Sequence, residues 1–331
     1  MRNILNIIVN DCRRTASNRW MVSTSLIITF SLILLAIFFT SRFEIKGNIA
    51  VISNGPVPVL RSEHLNVTLL DAPPPESQLV MNRYDAVVTY GEDGRITIDT
   101  IKSRDFKEML ENLLKNPASP DATDMQDDGG RGPGVNILGY LIMFLMLQGL
   151  FFMNYFTEDK ERRNLRRIVT SPVSMGAYLV GHFLFNSAMI LIPTMAVLLI
   201  SKEALKVDIG LSFAQYAFLL AILSVLSSAF ALLVTAVVEK ADNAMAFAST
   251  VILVTSMLSG SFGALNTGSE TANRLFGFLP QKSYLTLAQG LENGGTVAAF
   301  LPQLALLLAL SVLMAGLGAA VCRKRFNEGR Y

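Results

Sequence analysis

Six long apolar segments leave this chain few ways to fold: Met21 to Thr40, Val135 to Phe156, Tyr178 to Ile200, Leu211 to Val238, Ala244 to Ala264 and Val297 to Cys322. About 20 apolar residues at 1.5 Å each cross ~30 Å of hydrocarbon. Inside a bilayer the backbone must satisfy its own hydrogen bonds, and a helix does so within one segment. The expectation is a polytopic α-helical membrane protein with six transmembrane helices. A composition of 51% hydrophobic and 16% charged residues agrees with it. The first segment is too long for a signal-peptide core, and Phe38 to Arg42 offers no small-x-small cleavage site, so it reads as an uncleaved anchor.

Charge orients the segments. Basic residues of the 1–20 stretch, the 157–177 loop, Lys240 and the 323–331 tail number 14, against 4 in the short loops of the other side. The positive-inside rule then places both termini in the cytoplasm of a multi-pass cell-membrane protein. A net charge of +2, with bases gathered at span ends, excludes a nucleic-acid partner. Residues 1–20 alternate Ile4, Leu5, Ile7 and Ile8 with Arg13, Arg14 and Arg19. That pattern fits a helix at the membrane interface, and equally a solvated N-terminus.

Residues 41–134 hold most of the acids and prolines and no run of spanning length. Strands are expected at Asn48–Ile52, Asn66–Leu70, Ala86–Tyr90 and Arg95–Thr100, the last two joined by a Gly91-Glu92-Asp93-Gly94 hairpin. Phe106, Met109, Leu110, Leu113 and Leu114 follow at helical spacing, and Asn116 to Gly134 reads as a linker. A small α+β extracytoplasmic domain between the first and second spans is the expectation.

The loop at 157–177 opens with Glu158, Asp159 and Glu161 and continues with Arg162, Arg163, Arg166 and Arg167. Acids before bases suit the dipole of one short helix, Leu165, Ile168 and Val169 recur at helical spacing, and Ser171-Pro172 ends the run. By charge alone the loop is either an amphipathic cytoplasmic helix with a role or a plain topogenic loop. The segment Lys160 to Ser174 resembles the loop between the second and third spans of type 2 ABC transporter permeases. The shared pattern is Asp159-Lys160-Glu161, then Leu165, the pair Arg166-Arg167, the pair Ile168-Val169 and Ser171-Pro172. The chain departs where the family has Gly-Thr, carrying Arg163-Asn164.

That resemblance implies an ATPase-coupling role for Glu158, Glu161, Arg162, Leu165, Arg166, Arg167 and Pro172. It also implies a separate ABC ATPase subunit as partner and dimerisation with a second copy or a paralogue. The strands Ile49-Ala50-Val51-Ile52 and Tyr84-Asp85-Ala86-Val87-Val88 resemble the outer domain of the drug- and antibiotic-export branch. Ser259-Gly260 with Pro280-x-x-x-Tyr284 resembles that family's outer re-entrant segment, here 266–290, an ordinary exposed loop being the alternative. The implied function is ATP-driven export of a hydrophobic or amphipathic substrate such as a drug, antibiotic or lipid.

No G-x-x-x-x-G-K-[ST] loop occurs, so any ATPase activity belongs to a partner, and no cofactor or catalytic residue is expected. Leu258-Ser259-Gly260-Ser261-Phe262 mimics an ABC signature by coincidence. Span interiors lack Asp, Glu, Lys and Arg, which disfavours an ion-coupled carrier. His182 reads as an interfacial or packing histidine, His64 suggests no metal site, and Cys12 and Cys322 imply no disulfide. Gln148, Asn154, Asn186, Ser187, Gln215, Ser227, Ser228, Ser249 and Thr250 read as interhelical glue, Pro193 as a kink, and Gly316 with Gly318 as a close-packing site. Substrate ligands are not identifiable. The rival from another class is a membrane-anchored interaction or sensor protein acting through its outer domain.

Overall fold

A computed structural model describes residues 2–43, 47–53, 65–70, 86–90, 96–100, 110–111, 132–162, 164–169, 173–206, 209–262 and 276–328. The helices are α1 (Arg2–Ser17), α2 (Arg19–Phe43), α3 (Pro133–Glu161), α4 (Asn164–Val169), α5 (Met175–Leu205), α6 (Phe213–Val237), α7 (Ala241–Leu258), α8 (Pro280–Glu292) and α9 (Leu301–Asn327). A short 3₁₀ turn, Val297–Phe300, leads into α9. The chain divides into two compact units, Met1–Phe38 with Arg131–Tyr331, and Phe39–Gly130.

In the helical unit, α3, α5, α6, α7 and the segment containing α9 are long and apolar enough to cross a membrane. The inner helices are α3 and α6, while α7 and α9 show Phe247, Leu253, Met257, Val312 and Leu313 outward. An apolar outer surface of this kind belongs in lipid. Lipid gives helices no hydrophobic reason to associate, so small residues and polar bonds must join them. At the α3–α6 crossing a Cβ on Gly149 would overlap the Ser227 hydroxyl, which donates to Leu145 O at 2.9 Å. Asn186 of α5 donates to Gly149 O at 3.0 Å, Ser187 to Ser228 Oγ at 2.9 Å, and Gln148 to Ser25 of α2.

Two expectations are corrected here. Ser249 and Thr250 donate to Ala246 O within α7 and, among the described residues, join no other helix. Gly318 does pack against the α6 backbone, where an added Cβ would lie 3.1 Å from Leu233 N, but Gly316 faces open space. The helix runs through Pro193 from Met175 to Leu205.

At one end of the bundle α8 carries most of its buried side chains, Tyr284, Leu285, Leu287 and Leu291 among them, which rules out an exposed loop over Pro280–Glu292. The first part of the expected 266–290 segment, through residue 275, lies outside the described residues. Glu292 accepts from the amides of Gly134 (2.6 Å) and Val135 (2.9 Å), capping the N-terminus of α3 with a carboxylate. Gln215, within the capping box of α6, donates to Leu291 O at 3.0 Å.

The second unit contains a four-stranded sheet of order β2-β1-β3-β4, formed by β1 (Gly47–Ser53), β2 (Leu65–Leu70), β3 (Ala86–Tyr90) and β4 (Ile96–Thr100). All four expected strands are present. The β3–β4 pair is antiparallel across residues 91–95, as the hairpin signal implies, whereas β1 pairs in parallel with β2 and β3. The central strand β1 accordingly buries Ile49, Ala50, Val51 and Ile52 in succession instead of alternating. Of the helical pattern at Phe106–Leu114 only Leu110 and Glu111 are described, and the 116–134 linker lies outside the described residues up to residue 131.

Candidate functional site

The last turns of α3 carry Glu158, Asp159, Lys160 and Glu161, four polar residues in a row at the end of an apolar helix. Successive helical positions point about 100° apart, so four of them reach around the whole circumference of α3. Arg14 serves the first two, and the other two find partners of their own. Glu158 Oε2 accepts from Arg14 Nη2 at 2.7 Å, and its other oxygen lies 2.7 Å from Arg162. Asp159 takes both Arg14 Nη1, at 3.2 Å, and the Tyr178 hydroxyl of α5, at 2.7 Å. Lys160 turns the other way, donating to the Thr235 and Val238 carbonyls at the C-terminus of α6 with its ammonium 5.1 Å from the Phe156 ring. Glu161 accepts from Ala241 N, 2.8 Å away at the start of α7.

Both pairings at helix ends are electrostatically apt. Lys160 meets orphan carbonyls at the negative end of α6, and Glu161 meets an orphan amide at the positive end of α7. Four consecutive side chains thus fasten α3 to α1, α5, α6 and α7.

Helix α1 closes this end. Asp11, fully buried, lies 2.6 Å from His182 Nδ1 of α5, itself 2% exposed and edge-on to the Tyr178 ring. Thr15 donates to the Tyr155 hydroxyl at 3.1 Å, Arg14 stacks on the Tyr155 ring at 4.5 Å, and Ile7 fits against Gly181. Burial works against the Arg14 charge, but Asp159, Glu158 and Asp11 outweigh it and raise its pKa above the ordinary guanidinium value. The exposed side of α1 is divided: Leu5, Val9 and Cys12 form an apolar stripe and Asn6, Asn10 and Arg13 a polar one. Both Cys12 and Cys322 are free thiols.

The sequence expectation for the loop is corrected in one respect. Glu158 and Glu161 do not begin a short amphipathic helix. They end α3, at the negative end of its dipole, where Arg14, Arg162 and the Ala241 amide offset the repulsion. Arg162 is the C-cap of α3 and 70% exposed. The short helix is α4, six residues long; Leu165 anchors it, fully buried in the main core, and Arg167 is exposed. Of Arg166 only the backbone is described, and Pro172 lies outside the described residues.

Sequence reasoning missed Arg14, Asp159 and Tyr178 as a bonded set, and missed the pairing of Asp11 with His182 and of Lys160 with the end of α6. His182 is a packing residue as expected, with the addition of a carboxylate partner that nothing near it in sequence announces.

A search among curated proteins gives no match to the chain. A family model described as ABC-2 family transporter protein matches residues 61–320, well over half the chain, covering β2 to β4 but not β1, the helices from α3 to α8, most of α9 and the junction around α4. The chain belongs to the ABC-2 family of transporter proteins and is the permease component of an ABC transporter.

Proposed function

We propose that this permease is an exporter subunit whose α4, held on the end of α3, is the element that a separate ATPase subunit pushes. The observation that carries this reading is the run Glu158–Glu161, because a displacement of α4 is delivered at once to α1, α5, α6 and α7. Packed interfaces of this kind switch between discrete arrangements instead of deforming smoothly. A single short helix therefore moves a whole bundle between inward-open and outward-open states. Docking falls to Arg162, Arg166 and Arg167, with Leu165 as the internal anchor, and the resemblance extends the coupling segment to Pro172.

In this reading α2 is a sixth span: it is 25 residues long and exposes Ile27, Leu35 and Phe38. The bases at the α4 end favour a cytoplasmic side for it and for both termini and an outer side for α8; residues 41–134 are extracytoplasmic in this topology. The permease works as a dimer with a second copy or a paralogue and carries a hydrophobic or amphipathic substrate.

The test is affinity purification of the tagged protein in mild detergent with an ATPase assay. A stoichiometric nucleotide-binding subunit that is lost on the double change Arg166→Glu and Arg167→Glu supports the reading. An ATPase that remains bound and stimulated after that change removes α4 from the coupling role. If no ATPase accompanies the wild-type chain in several detergents, the sheet unit becomes the seat of function.

A further inference from the structure

The order β2-β1-β3-β4 leaves β2 and β4 as the edge strands of the sheet. One side of β2 pairs with β1, from Gly47 opposite Leu65 to Ile52 opposite Leu70, and among the described residues nothing pairs with its other side. An edge strand presents a row of unpaired N–H and C=O groups, a template for another strand, and charge, proline or a bulge is what blocks such pairing. The β4 edge is blocked in this way, since Asp99 is exposed among Ile96–Thr100. The β2 edge is not. Leu65-Asn66-Val67-Thr68-Leu69-Leu70 has no charge, no proline and no glycine, its register with β1 is unbroken over all six residues, and Thr68 at mid-strand is exposed. Strand addition to an open edge is a general mode of recognition in which the main chain supplies the bonds.

Tethering and symmetry select the occupant. A separate protein brings a six-residue strand at the full cost of lost translational and rotational freedom. A second copy of this chain does not. The unit Phe39–Gly130 is inserted into the helical unit and tied to it at both ends. Two permeases joined through their membrane parts therefore hold two copies of the sheet at an effective concentration on the order of millimolar. A strand related to its own copy by a two-fold axis runs antiparallel to it, the more stable ladder pattern, and the same residues meet near the axis. In β2 those residues are Val67 and Thr68, and threonine and β-branched side chains make favourable cross-strand neighbours, whereas β4 would bring two Asp99 carboxylates together. We infer that β2 pairs antiparallel with β2 of a second copy, joining two four-stranded sheets into one of eight strands. The pairing presupposes the dimer of the proposed function and supplies the surface through which its sheet units meet; it does not depend on an ATPase.

Single cysteines are placed at each position from 65 to 70, and at Thr97 and Asp99 of β4, in the full-length permease with Cys12 and Cys322 replaced by serine. Each variant is oxidised with copper phenanthroline in membranes, and its oligomeric state is measured separately by light scattering in mild detergent. Only a residue at the two-fold axis meets its own copy. Disulfide-linked dimer should therefore peak at Val67→Cys or Thr68→Cys, fall toward 65 and 70, and be absent at Thr97→Cys and Asp99→Cys, the exposed positions of β4. Thr68→Lys, added to the best-linked of the other positions, sets two ammonium groups near the axis and should lower the yield roughly fivefold, with the thermal midpoint and the dimer unchanged. A dimer that cross-links at no β2 position, or equally at β4, overturns the pairing and leaves the dimer standing. A permease that is monomeric throughout overturns both. Cross-linking of the β2 cysteines to a different protein instead of to their own copy overturns the pairing in favour of a foreign strand.

Discussion

Asp159 takes donors from two elements, Arg14 of α1 and Tyr178 of α5, with its side chain only 9% exposed. Truncation leaves the buried Tyr178 hydroxyl without its acceptor and Arg14 with Glu158 alone, a cost of about 1–3 kcal/mol. Asp159→Ala is expected to lower the thermal unfolding midpoint in detergent strongly. Asp159→Asn, which keeps an acceptor oxygen, should lower it less. Glycines give a second contrast at the same scale. Gly149→Ala drives a methyl into the Ser227 hydroxyl and breaks its bond to Leu145 O, a destabilisation of about 1–3 kcal/mol. Gly316→Ala meets nothing within 4 Å and should be neutral or slightly stabilising, since alanine favours helix over glycine by up to about 1 kcal/mol. Equal midpoints for the two alanine variants would contradict the packing described here.

The ends of elements, more than their middles, escaped the sequence. Hydropathy located the five membrane-crossing helices because apolar side chains must face lipid or core over ~30 Å. It did not show that α3 runs on to Glu161. Nothing local favours three acids at the negative end of a helix, and what holds them is remote: Arg14 is 145 positions away and Thr235 75. The strands were legible from β-branched runs, and the β3–β4 pairing from its glycines. Parallel pairing of β1 with β2 and β3 was not, because crossovers carry no residue signature comparable to a hairpin turn. Pro280 and the apolar residues after it marked α8, yet the clasp at its far end depends on Glu292 meeting two amides that precede it by more than 150 positions. Glu292→Ala should expose the first turn of α3, with a loss of about 1–2 kcal/mol and faster hydrogen exchange at Gly134 and Val135. Unchanged exchange at those amides would mean that the carboxylate does not hold this end.

At the scale of the molecule, one end of α3 is clasped by Glu292 and the other by the Glu158–Glu161 run, and the proposed orientation puts them on opposite sides of the membrane. Thr296 and Arg323 are both exposed. In a chain with Cys12 and Cys322 replaced by serine, Thr296→Cys should react with an impermeant maleimide added to intact cells. Arg323→Cys should react only after permeabilisation, and the reverse pattern would invert the topology. The central claim is that the α3 terminus conveys force from an ATPase to the bundle. It is tested most directly at Lys160, which reaches α6 from inside the junction and takes no part in the exposed docking surface. The measurement is ATPase stimulation by the purified complex carrying Lys160→Met or Lys160→Arg, with subunit stoichiometry determined in the same sample. Lys160→Met should keep the ATPase bound at wild-type stoichiometry while stimulation falls to the unstimulated rate, and Lys160→Arg should recover part of it. Full stimulation in Lys160→Met at wild-type stoichiometry would contradict the account.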